Sequence, residues 1–327
     1  MTDTYRATVA LQTRARTFRF PLEAVRVERG RHLHLAKSSR LFANNGLVVL
    51  YCDGATALNV GPGLCAVWCP LKGEVQFAEN GAHFAVPKRF VYVADSNRSY
   101  DAEVPASAAC LAIVASQTTW AALHGFGDDT QYHAPAVFPA LHPVANDMRR
   151  AIIAFARECF SSAQQRQSSS RQVTMLAGIV ARLQQVFEPL IQRCPGRTIA
   201  RQRSVFLRMQ RTRLHIELYN ALELDVSMLA HMANYSVWQF IKIFRQVFVA
   251  TPHAYLARCR VEVATLLLRS RSTMGVADVA RAAGFSSRSA FSRNMKQISG
   301  SSATKLRALA AADEREIEAP ALHWSST

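Results

Sequence analysis

Leu229-Ala230, Asn234-Tyr235, Phe240 and Phe244 form a spaced pattern that returns as Val279-Ala280, Gly284-Phe285, Phe291 and Met295, all within Asp225 to Arg307. The offset is 50 residues up to the aromatic residue and 51 beyond it, so the second copy carries one extra residue in its turn. Each copy reads as helix, tight turn, helix. Asn234 and Gly284, just before the aromatic residue, are types that accept left-handed backbone angles, as a sharp interhelical turn demands. Ser236 in the first copy, and Ser286 or Ser287 in the second, offer a hydroxyl to cap the helix that follows.

The second helix of each unit divides into two faces. Phe240, Phe244 and Val247 recur at helical spacing and are expected inside, as are Phe291, Met295 and Ile298 in the second unit. The opposite stripes are Trp238, Ile241, Lys242 and Arg245, and then Arg288, Ser289, Ser292, Arg293 and Lys296. Such fronts suit the DNA major groove, where Arg and Lys read guanine, Ser reads several bases, and apolar groups meet the thymine methyl. The blander reading is a pair of solvated helix faces, which leaves the duplication and the charge unexplained.

From about Leu207 to Leu309 the chain resembles the AraC/XylS-type transcriptional regulators. The likeness rests on Ser227–Ala230, on Thr251-Pro252-His253-Ala254-Tyr255-Leu256 with Arg260 and Ala264, and on Gly284-Phe285-Ser286-Ser287 followed by Phe291-Ser292-Arg293. It implies two helix-turn-helix units on either side of a long connecting helix, here Pro252 to about Arg269. It also places the base-reading positions on Trp238, Ile241, Lys242, Arg288, Ser289, Ser292 and Arg293. Three positions depart from the pattern: Val249 stands where a glycine is usual, and Ala303 and Leu306 replace a proline and a tyrosine.

The 327 residues carry a net charge of +16, and +13 of it falls between Gly196 and Ala310, where 18 Lys and Arg face 5 Asp and Glu. A basic excess in the same region as the paired units is the electrostatic footprint of a polyanion binder. No apolar window is long enough for a membrane span, and Met1-Thr2-Asp3-Thr4-Tyr5-Arg6 lacks a secretion-signal layout, so a cytoplasmic protein is expected. Seven cysteines, an odd number in such a protein, argue against a disulfide framework. Cys65-x3-Cys69 with Cys52 reads as small strand residues rather than a thiol or soft-metal site.

Residues 1 to about 116 read as short strands: Leu47–Tyr51 is a buried run, Phe90–Val93 and Leu111–Val114 add more, and Val75 to Val86 makes a hairpin through Asn80-Gly81. Many strands at this spacing predict a small antiparallel barrel or sandwich. The resemblance implies a cupin-like, effector-sensing barrel here. His32-x-His34 has no carboxylate at ligand spacing, so no metal is expected, and no nucleophile-base constellation stands out. Tyr51, Trp68, Phe77, Phe84, Phe90 and Tyr92 form an aromatic inner face that is either a small-molecule pocket or plain core.

Two helices are expected at about 143–160 and 172–194, joined by the polar stretch Ser161–Ser170. The second carries a heptad seam, Val173, Leu176, Val180, Leu183, Phe187, Leu190 and Cys194, with Pro189 ending or kinking it. A seam of this kind belongs either to an intramolecular hairpin or to a dimer, and the resemblance favours the dimer. After Cys194-Pro195-Gly196, Arg197, Arg201 and Arg203 are read as a basic linker able to meet phosphates. The tail from Ala312 is acidic, then mixed.

The expectation is an α+β protein: a cupin-like sensing domain over 1–130, a helical dimerisation region over 140–195, a basic linker over 196–206, and an AraC-type DNA-binding domain with two helix-turn-helix units over 207–310. The expected function is a sequence-specific transcription regulator, as an activator. Its partners would be promoter DNA, RNA polymerase, a second copy of the chain, and a small-molecule or protein effector on the N-terminal domain. No cofactor, metal or catalytic residue is expected. The rival is a methyl-accepting repair enzyme fused to the same DNA-binding domain, which needs a reactive, accessible cysteine.

Overall fold

The computed structural model describes residues 4–12, 17–79, 82–95, 97–123, 137–165, 170–269 and 274–309. The chain divides into two compact units, Met1–Leu214 and His215–Thr327. The Asn80-Gly81 turn, the loop from Gly125 as far as residue 136, residues 166–169 of the Ser161–Ser170 stretch and the tail lie outside the described residues, and the rest of that stretch, expected as a polar hinge, is helical.

The first unit contains β1 (Thr4–Gln12), β2 (Thr17–Val27), β3 (His32–Leu35), β4 (Leu47–Asp53), β5 (Thr56–Val60), β6 (Leu64–Lys72), β7 (Glu74–Glu79), β8 (Ala82–Pro87), β9 (Phe90–Ala94), β10 (Tyr100–Val104), β11 (Ala109–Ser116) and β12 (Ala140–Pro143). They form two sheets, β1-β2-β4-β11-β6-β9-β12 and β3-β5-β10-β7-β8. The α+β class holds, but the expected barrel does not: neither sheet closes on itself. The ladders are not all antiparallel either, since β2 runs parallel to β4 and β3 parallel to β5.

Alternation along β6 explains the layering. Trp68 faces the smaller sheet, where its ring meets Phe77 at 5.3 Å and its indole N–H donates to Tyr100 Oη at 2.9 Å. Phe77 in turn packs on Phe84 at 5.2 Å and Tyr92 at 5.0 Å. Trp68, Phe77, Phe84 and Tyr92 are therefore packed core between the sheets, whereas Tyr51, also expected on that face, is half-buried on the helix side, and Phe90 is half-buried. The alternate residues Cys65, Val67 and Cys69 point the other way, into a cluster with the helices.

Those helices are α1 (Gln117–Leu123), α2 (Asn146–Gln165), α3 (Ser170–Gln184) and, after a 3-10 turn at Gln185–Phe187, the short α4 (Glu188–Ile191). Pro189 lies in the first turn of α4, where its missing N–H costs nothing, so the long expected helix breaks there. The heptad seam resolves to the hairpin reading. Val173, Leu176, Val180 and Leu183 are buried against Leu22, Val49 and Phe155 of the same chain. Burying each such side chain stabilises the fold by about 1.5–3 kcal/mol.

The stretch expected as a linker is instead helical from Ile199, the start of α5 (Ile199–Leu218). Its first half packs within the first unit. Arg203 is only 7% exposed and lies 4.8 Å over the Phe138 ring, while Phe206 meets Phe138 at 4.8 Å and Phe187 at 5.4 Å. Gln210 donates to the Pro139 carbonyl at 2.8 Å, and Arg211 pairs with Asp95. These two arginines are held by protein groups, whereas Arg201 stays exposed.

The second unit holds α6 (Val226–Met232), α7 (Val237–Phe248), α8 (Pro252–Arg269), α9 (Val276–Ala282) and α10 (Arg288–Ser299), with further helical residues at 303–309. Leu229, Phe240, Phe244 and Val247 are buried in its first half. Val279, Phe285, Phe291 and Met295 pack with Val261 and Ala264 of α8 in its second half.

Candidate nucleic-acid interface

The turn in each unit is built the same way. Asn234 has φ 56° and Gly284 φ 83°, and the next N–H closes back on the first helix: Tyr235 N to Ala230 O at 3.0 Å, Phe285 N to Ala280 O at 2.9 Å. Gly284 is needed twice over, because a Cβ there would lie 2.7 Å from Asn220 O and 2.8 Å from Ala221 Cα. Ser236 caps α7 through the Gln239 N–H, and Ser287, not Ser286, caps α10 through the Ala290 N–H at 3.2 Å.

These caps fix the phase of α7 and α10, and with it the fronts they present. On α7, Trp238 is 70% exposed, Lys242 and Arg245 are exposed, and Ile241 is half-buried. The Lys242 ammonium sits 5.0 Å from the Trp238 ring centroid, which holds the cation on the exposed face. On α10, Arg288, Ser289, Ser292, Arg293 and Lys296 are all exposed, and the Ser289 hydroxyl lies 3.3 Å from that of the capping Ser287. Neither helix carries an Asp or Glu. Ile298, expected inside, is 38% exposed at the last turn of α10. Position counting missed Val237 and Gln239, also exposed on α7; their signal was the helical wheel read one residue further round.

Residues outside the two fronts fix the connecting helix. Thr251 Oγ1 accepts from Ala254 N at 3.2 Å at the start of α8. Arg260 donates to the carbonyls of Asn220 at 2.8 Å and Leu222 at 2.9 Å, tying α8 to the chain before α6. Val249 ends α7 with φ 58° and ψ 21°, a left-handed conformation in a β-branched residue that is 75% exposed.

The cysteines have the opposite of an activated setting. All seven are buried. Burial pushes the Cys52 thiol up to about 12 and that of Cys194 to about 12, and Cys69 to about 11 despite the nearby Arg149. A methyl-accepting thiolate needs accessibility and a lowered pKa, and these thiols have neither.

The arrangement defines a class: a tandem helix-turn-helix module with two cationic helix fronts. Residues 229–308 match the family model described as a helix-turn-helix domain. Over 91 residues it is 32% identical to the "Probable transcriptional regulator LumQ" of Photobacterium leiognathi, covering 28% of this chain and 36% of that protein. The chain thus spans about a third of the length of this relative. Among solved structures, it is similar to the DNA-binding domain of AdpA in complex with a target DNA, at 27% identity over 35% of this chain and 97% of that one, with a TM-score of 0.30. It is also similar to the C-terminal domain of AraT, a response regulator from Geobacillus stearothermophilus, at 22% identity over 31% of this chain and 84% of that one, with a TM-score of 0.30.

Proposed function

We propose that this protein is a sequence-specific, DNA-binding transcription regulator of the AraC/XylS type. The observation that carries the reading is the pair of serine-capped helices, α7 and α10, which present Trp238, Ile241, Lys242 and Arg245, and Arg288, Ser289, Ser292, Arg293 and Lys296, without an opposing carboxylate. Lys and Arg on these fronts suit guanine edges and Trp238 suits the thymine methyl, with the two helices entering successive major-groove segments about 34 Å apart. The resemblance supports an activator that works with RNA polymerase in the cytoplasm, as a homodimer under control of the N-terminal unit. Burial of Val173, Leu176, Val180 and Leu183 in the chain's own core supports a homodimer surface other than the α3 seam.

The test is to select duplexes from a random pool with the full-length protein and titrate variants on the selected site. Lys242→Ala or Arg293→Ala is expected to lose about 1–3 kcal/mol and to relax preference at one base pair. Arg201→Ala is expected to weaken all sequences alike and to lower the salt slope by about 1. A Lys242→Ala protein with unchanged affinity and base preference would remove α7 from the reading surface.

A further inference from the structure

The space between the two sheets is filled by Trp68, Phe77, Phe84, Tyr92 and Tyr100, and room for a ligand lies on the outer face of the five-stranded sheet. It carries two adjoining hollows of about 760 and 390 Å3 that share His34 and Asn59, each within the range of small-molecule sites. The larger is lined by Lys37, Ser38 and Ser99 and has no carboxylate in its wall. The smaller is lined by His32, Asp101 and Glu103.

Register explains why the charges separate. Asn59 stands opposite Asp101 and Ala57 opposite Glu103, so the two carboxylates share one face of β10, about 7 Å apart. The Asn59 amide donates to Asp101 Oδ1 at 2.6 Å and fixes that carboxylate in the wall of the smaller hollow. Lys37 sits beyond the end of β3, its stem lying against Gly63, where φ is +87° and a Cβ would come within 2.8 Å of Lys37 Cδ. Among the described residues no ion pair joins Lys37 to Asp101 or Glu103. One end of the trough is therefore cationic and rich in hydroxyls, and the other is anionic.

We propose that this trough binds a small zwitterion, with its carboxylate at Lys37, Ser38 and Ser99 and its ammonium at Asp101 and Glu103. A ligand bearing both charges satisfies both ends with charge-assisted hydrogen bonds. An extended tripeptide, about 10 Å long, carries one charge at each end. The inference concerns the N-terminal unit alone and stands apart from the DNA reading.

The experiment is calorimetric titration and thermal shift of the full-length protein with triglycine, with N-acetyl-diglycine, which keeps only the carboxylate, and with triglycinamide, which keeps only the ammonium. Triglycine is expected to bind and to raise the melting temperature, and each single-ended analogue to bind about tenfold more weakly. Lys37→Ala is expected to weaken triglycine and leave triglycinamide unchanged, and Glu103→Gln to weaken triglycine and leave N-acetyl-diglycine unchanged. Both side chains are exposed, so neither change disturbs the core. Absence of heat and shift with millimolar triglycine overturns the proposal. So does equal binding of the analogues, or triglycine binding insensitive to both substitutions.

Discussion

Val249 holds a left-handed conformation that costs an L-residue roughly 1–2 kcal/mol, and its side chain, 75% exposed, recovers little by packing. Glycine adopts the same angles without the clash, at the cost of extra freedom in the unfolded chain. Val249→Gly is therefore expected to stabilise the second unit by about 1 kcal/mol and to raise its melting temperature by several degrees, read by circular dichroism. A melting temperature that falls would mean that chain freedom outweighs the relieved strain. This position stood out in advance only through the family resemblance, as a valine where a glycine is usual. Arg203 was not. In a run of arginines it looks solvated, and only the approach of Phe138, 65 residues earlier in the chain, shows it to be a buried cation.

The helix-turn-helix elements were readable because their determinants are local: apolar spacing, a turn residue that tolerates positive φ, and a capping serine all lie within about 15 residues of one another. The sheets were readable as strands but not as architecture. Whether strands close into a barrel depends on which edges meet, and nothing in Leu47–Tyr51 or Leu111–Val114 specifies that β11 lies between β4 and β6. The α3 seam was ambiguous for a different reason: a stripe with heptad spacing looks the same whether it faces a second chain or its own sheet. Its burial against Leu22 and Val49 leads to a clear expectation. Leu183→Glu or Phe187→Glu places an unpaired charge in the core and should destabilise the first unit by about 3–5 kcal/mol. The protein should then unfold at lower temperature rather than change its sedimentation from dimer to monomer. A variant that stays folded, and turns monomeric where the parent is dimeric, would show that the seam faces a partner.

Across the whole molecule, the contacts of α5 matter most for taking it apart. A DNA-binding fragment starting near Ser204 carries Phe206 and Met209, both buried in the intact chain, but lacks Phe138 and Phe187. It is expected to self-associate on sedimentation, and Phe206→Gln with Met209→Gln to restore a monomer that binds DNA with the same steep salt dependence. A parent fragment that is already monomeric would show that α5 can cover these side chains by itself. The same contacts set where genes of related regulators can recombine. Phe138, Phe187, Arg203, Phe206 and Gln210 should come from one parent, because they pack on one another or hold the backbone beside Phe138. A crossover between codons 138 and 210 mismatches that set, whereas one between codons 214 and 215 leaves it whole and keeps Arg260 with the Asn220 and Leu222 carbonyls it holds. Libraries that shuffle the first and second units should therefore return their folded members with breakpoints gathered inside a helix, not in a loop.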